Sequence, residues 1–126
     1  MQHKKKWILA VGEDLMFVVK INEFARRAGY DVVYSKSEDD TVAKAQDKPS
    51  LVLLDLNINA LDPVQLIAKL KSNVELKKIS IVSYISHVQA ELKQKAQEAG
   101  ADQVMARSAF STNLPQILKR HAETFS

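Results

Sequence analysis

Five short apolar runs, each followed by a segment of helical period, constrain this chain more than any other feature. They are "WILAV" (Trp7–Val11), "DVVYS" (Asp31–Ser35), "LVLLD" (Leu51–Asp55), "ISIVSYI" (Ile79–Ile85) and "QVMA" (Gln103–Ala106). The first, third and fourth are apolar almost throughout. A strand that is apolar on both faces is buried on both faces, which is how strands of a covered parallel sheet read. Parallel neighbours cannot be joined by a tight hairpin, so a crossover must lie between them, most simply a helix.

The intervening segments carry helix signals. Asp14 can cap a helix whose inner face is Phe17, Ile21, Phe24, Ala25 and Ala28, with Gly29 as the stop. "SEDD" (Ser37–Asp40) resembles a capping box, with Val42 and Ala45 facing inward. Asp62 followed by Pro63 is an N-cap with proline at the first helical position, and Leu66, Ile67 and Leu70 form the buried stripe. Val88, Leu92, Ala96 and Ala99 make a fourth stripe that ends at Gly100. Ser111 or Thr112 is expected to cap a last helix carrying Leu114, Ile117 and Leu118. The expected class is α/β: a (βα)5 three-layer sandwich with strands one, three and four central. With 126 residues, one domain is expected over 1–126, its core at about 6–122.

Charge and composition exclude several functions. The net charge is +3, and the 18 Lys and Arg are scattered, so no nucleic-acid partner is expected for the chain by itself. The densest run, Lys4-Lys5-Lys6 beside His3, reads as a solvated lead-in. There is no Cys, which fits a reducing compartment and makes the cytoplasm the expected location. No apolar stretch approaches the ~18 residues of a membrane span, so no membrane partner is expected. His3, His87 and His121 lie too far apart in sequence to suggest a metal set.

In open parallel sheets, ligands bind beyond the carboxyl ends of the strands, where the strand order reverses. That geometry selects Glu13 and Asp14 after the first strand, Asp55 and Asn57 after the third, Ser83 and Ser86 near the end of the fourth, and Arg107 after the fifth. Crowded carboxylates repel, and a divalent cation such as Mg²⁺ relieves this. A carboxylate can also act as the nucleophile in phosphoryl transfer, with a cationic side chain sharing the charge. The competing reading is that acids at strand ends are helix caps, Asp14 first among them. Trp7 reads as a packing residue. Tyr84 reads first as packing, and otherwise as a hydroxyl at the sheet edge. The "DLN" at Asp55 lacks the second acid of a dehalogenase-like phosphatase, and "GEDLM" is too acidic for a flavodoxin's phosphate loop. No enzyme activity is expected, apart at most from self-catalysed transfer onto Asp55.

"ILAVGED" (Ile8–Asp14), "RRAGYDVV" (Arg26–Val33), "PSLVLLDLNINALDP" (Pro49–Pro63) and "AQEAGADQVMAR" (Ala96–Arg107) resemble the receiver domain of two-component response regulators, the CheY-like superfamily. The match runs in one register from about Lys6 to Arg120. It implies a flavodoxin-like sheet of order 2-1-3-4-5. It also implies transfer of a phosphoryl group from a histidine kinase or phosphotransfer protein onto an Asp after the third strand, with Mg²⁺.

Position by position, the resemblance implies an atypical site. Asp55 falls on the phosphoacceptor. Gly12 takes the place of the first of two metal-organising acids and Glu13 that of the second, so Mg²⁺ binding is expected to be weakened. Asp14, one residue on, is the stand-in, and Asn57 supplies a backbone carbonyl to the metal. Ile85 stands where the family has Thr or Ser to bond the phosphoryl group, a loss of roughly 1.5–3 kcal/mol. Ser86 or Ser83 replaces it only if the strand end is shifted. Arg107 stands for a Lys and Ser108 for a cis-proline. Asn59 and Pro63 replace a common Pro and Gly, and Val104 replaces a switching aromatic residue.

Two roles follow: a working receiver that signals through Asp55, or a pseudo-receiver acting as a phosphorylation-independent adaptor. If Arg107 pairs with Asp55, the pocket needs no cation. The expected partner face is the fourth helix, fifth strand and fifth helix. Lys93, Lys95, Lys119 and Arg120 make it basic, as suits an acidic protein partner.

Overall fold

The computed structural model describes residues 6–86 and 89–124. His3, Lys4 and Lys5 of the basic lead-in, together with His87 and Val88, lie outside the described residues. The elements are β1 (Trp7–Val11), α1 (Leu15–Arg27), β2 (Asp31–Ser35), α2 (Glu38–Ala45), β3 (Leu51–Asp55), α3 (Pro63–Ser72), β4 (Ile81–Ile85), α4 (Ala90–Ala99), β5 (Gln103–Ala106) and α5 (Arg107–Thr124). All strand pairs are parallel, in the order β2-β1-β3-β4-β5. The flavodoxin-like order is the expected one. β1, β3 and β4 are central, and every residue in them is buried.

The caps are those the sequence announces. Asp14 Oδ1 accepts from Met16 N, Ser37 Oγ from Asp40 N, and Asp62 Oδ1 from Gln65 N. Gly29 and Gly100 follow α1 and α4 with φ of +85° and +116°, the left-handed region that glycine enters without penalty.

Alternation along the strands sorts the core into two layers. Leu9, Val11, Val52, Leu54, Ile81 and Ile85 face α2, α3 and α4. Ile8, Leu51, Leu53, Val82 and Tyr84 face α1 and α5. Trp7 packs in the first layer.

Two boundaries differ from expectation. β4 begins at Ile81 rather than Ile79, because Ile79 N–H closes a turn onto Leu76 O at 3.0 Å. α5 begins at Arg107, directly after β5, and not at a Ser111 or Thr112 cap. The cause is Phe110, fully buried against α1. Phe110, Leu114, Ile117 and Leu118 form one apolar stripe of period 3.6, and burying its first member draws the preceding turn into the helix. No helix among the described residues is long and apolar enough to cross a membrane.

Candidate functional site

The carboxyl edge gathers the ends of β1, β3 and β4 and the start of α5. Asp55 closes β3 and is 6% exposed. Its Oδ1 accepts from Asn57 N at 2.8 Å. Burial pushes the Asp55 carboxyl above the ordinary aspartate range. The Asn57 N–H and Arg107 oppose that shift, while Asp14 and Glu13 add to it.

The other acids are engaged by the protein. Glu13 Oε1 accepts from Asn59 N and Ala60 N and so braces the loop between β3 and α3. Asp14 caps α1 with Oδ1, while Oδ2 accepts from Arg107 Nη2. Its pKa is lowered, first by the Arg107 hydrogen bond and then by the backbone N–H of Phe17. The expected stand-in for the missing acid is therefore occupied on both oxygens. Asn57 also works through its side chain, donating to Gln89 Oε1 at 2.6 Å and accepting from Ser86 N at 2.7 Å. This ties the end of β3 to the loop that leads into α4.

Arg107 does not pair with Asp55. Its guanidinium carbon lies 4.3 Å from the Phe17 ring centroid, and Nη1 reaches Ser86 Oγ at 3.4 Å. Ile85 is buried in the layer of α2, α3 and α4, and Val104 packs against the same layer. The end of β4 is not shifted, so Ser83 does not reach the edge. Its side chain is fully buried, and its Oγ has no hydrogen-bond partner.

Tyr84 is the site residue that sequence reasoning placed second. It pairs with Asp55 across β3 and β4. Its ring stacks on Phe110 at 4.5 Å and tilts against Phe17 at 4.7 Å. The hydroxyl points toward Gly12: a Cβ built there would stand 3.5 Å from Tyr84 Oη, 3.5 Å from Asp55 Cβ and 4.0 Å from Asp55 Oδ2. Burial, and then the Asp55 charge, raise the phenol's pKa. The available signal was a glycine directly after β1, near a tyrosine that shares its face with Phe17 and Phe110.

A receiver-type Mg²⁺ site needs free carboxylate oxygens converging beside Asp55. In the arrangement these residues adopt, they do not fit it. Position 12 has no side chain, Glu13 holds a loop, and Asp14 holds Arg107 and a helix end. No set of three or more His, Cys, Asp or Glu among the described residues is placed to hold an ion.

No protein-family model and no curated protein sequence matches the chain. Many solved structures do. A putative response regulator from Chloroflexus aurantiacus superposes with a TM-score of 0.82 at 20% identity, over 94% of this chain and 98% of that one. The chemotaxis response regulator CheY4 of Vibrio cholerae gives 0.78 at 20% identity, over 92% and 98%. The receiver domain of a sensor histidine kinase from Pseudomonas aeruginosa, with a magnesium ion coordinated in its active-site cleft, gives 0.79 at 19% identity, over 91% and 95%. The chain is built on the fold of response-regulator receiver domains, the CheY-like fold.

Proposed function

We propose that this chain is a receiver module of two-component, phosphorelay-type signal transduction that acts through protein–protein contacts. The observation that carries this reading is Asp55. It sits at the carboxyl end of the central strand with one oxygen held by Asn57 N and the other on the side of Gly12, 4.0 Å from where a Cβ there would stand. On this reading Asp55 receives a phosphoryl group from a histidine kinase or a phosphotransfer protein. The added charge of about −1.5 to −2 then acts on its surroundings, since neither Ile85 nor Val104 can work the usual hydroxyl–aromatic switch. The cytoplasm is the site of action that goes with it.

A second reading is favoured by the engaged acids. With Glu13 and Asp14 spent on the protein itself, the module serves as an adaptor whose binding face is set without phosphorylation. In both readings the partner docks on α4, β5 and α5. Lys93, Lys95, Lys119 and Arg120 are exposed there, with Lys95 paired to Glu91 at 3.0 Å. An acidic partner surface suits that face.

Acetyl phosphate, with and without Mg²⁺, separates the two readings when the intact mass and the amide spectrum are followed together. A labile phosphoryl adduct that Asp55→Asn abolishes supports the receiver. A folded protein that gains no adduct, from acetyl phosphate or from a phosphorylated phosphotransfer protein, leaves the adaptor.

A further inference from the structure

The metal position beside Asp55 is changed by more than the loss of one acid. Gly12 directly follows β1 and bonds through its N–H to Ser35 O at 3.3 Å. A bare Cβ at this position would sit in ordinary contact with its neighbours, between 3.5 and 4.0 Å. A methyl group therefore fits. A carboxylate extended from it toward Asp55 Oδ2 would run beside the phenol oxygen of Tyr84, which stands 3.5 Å from the Cβ itself. Phe17 and Phe110 hold the ring there at 4.7 and 4.5 Å, and Tyr84 is 3% exposed.

We propose that Gly12 and Tyr84 act as one unit that bars a divalent cation from the Asp55 pocket. Glycine clears the end of β1, and the tyrosine hydroxyl takes the ground on which a metal-organising carboxylate would stand. A phenol remains neutral in such a site. It therefore lowers the density of negative charge beside Asp55, where a second carboxylate would raise it and call for a cation. The Arg107–Asp14 pair works in the same direction: the guanidinium and the Asn57 N–H offset the negative charge that Asp14 and Glu13 add beside Asp55. This inference rests on reading the carboxyl edge as a receiver-type pocket, but not on Asp55 being phosphorylated.

Mn²⁺ is the probe, read by paramagnetic broadening of amide signals near Asp55, with Mg²⁺ shift titrations beside it. Four proteins are compared: wild type, Gly12→Asp, Tyr84→Phe, and the double variant. Wild type and Tyr84→Phe are expected to show no saturable response at millimolar metal. Gly12→Asp is expected to respond weakly, and the double variant to bind at least ~10-fold more tightly than Gly12→Asp, about 1.4 kcal/mol.

Thermal melts without metal read the same coupling should the double variant bind poorly. Gly12→Asp lowers the midpoint, Tyr84→Phe returns part of the loss, and Gly12→Ala, which the space accommodates, changes it little. The proposal is overturned if wild type binds Mn²⁺ saturably at Asp55. It is equally overturned if Gly12→Asp binds as tightly as the double variant, or if the two substitutions add without coupling in the melts. Failure of acetyl phosphate to modify Asp55 touches none of these readouts, so the two readings fail separately.

Discussion

Asp55 carries its charge against its surroundings. Burial raises its folded pKa above the unfolded value of 3.8. Between those two values the native state binds the proton more readily than the unfolded state, so stability falls as pH rises through that window. Above it, the native state bears the full penalty of an ionised, buried carboxylate. Asp14 has the opposite sign: its pKa is lowered from 3.8 by Arg107, and it stabilises the fold above that value and loses the contribution in acid. Asp55→Asn keeps the acceptor for Asn57 N–H and removes only the charge. It is expected to raise the urea midpoint at pH 7, with a gain that shrinks as pH falls toward 4. A variant no more stable than wild type at pH 7 would show that the pocket already compensates the charge in full.

α5 shows which signals a sequence does and does not carry. Caps, glycine stops and two-side-buried runs are local, and they announced β1, α1, β3 and α3 with nearly the observed bounds. The start of α5 was hidden, because "RSAFST" is polar and only the partner rings of Tyr84 and Phe17 reveal Phe110 as a core residue. Ser83 was hidden for the same reason: facing is set by the strand register, and the register is tertiary. The hydroxyl of Tyr84 was half legible, since its ring packs as expected while its oxygen reaches the edge. The acids were legible as positions, whereas their engagement by Asn59, Ala60 and Arg107 depends on contacts from remote parts of the chain.

α5 also contains Pro115, which gives Ser111 O no N–H to accept from. Thr112 Oγ1 and Asn113 Nδ2 add bonds to the carbonyls of Ser108 and Ala109, at 3.1 and 2.8 Å, and support the turn before it. Because position 115 is exposed, Pro115→Ala changes the backbone without disturbing packing. It should stabilise the protein by about 1–2 kcal/mol, the restored helix bond outweighing the entropy regained by the unfolded chain. A lower urea midpoint at unchanged slope would mean that the proline is built into the helix's shape.

The sheet divides the molecule into two layers, and the site touches both. Ile85 and Val104 belong to the layer of α2, α3 and α4, while Tyr84 belongs to that of α1 and α5. The positions through which a receiver would ordinarily report are aliphatic and lie in the first layer. The aromatic group beside Asp55 lies in the second, in contact with Phe17 of α1 and Phe110 of α5. A change of charge at Asp55 therefore has its most direct polarisable neighbour on the α1 and α5 side. That side also presents Leu15, Met16 and Val19, which are 77%, 83% and 65% exposed. The link to α4 runs instead through Asn57, whose bond to Asp55 Oδ1 survives replacement of the acid by its amide. Asp55→Asn is thus expected to move amide signals around Tyr84, Phe17 and Phe110 more than those of Val104 and α4. Shifts concentrated in α4 and β5 would instead place the path of communication on the Asn57–Gln89 hydrogen bond and make Tyr84 a passive filler.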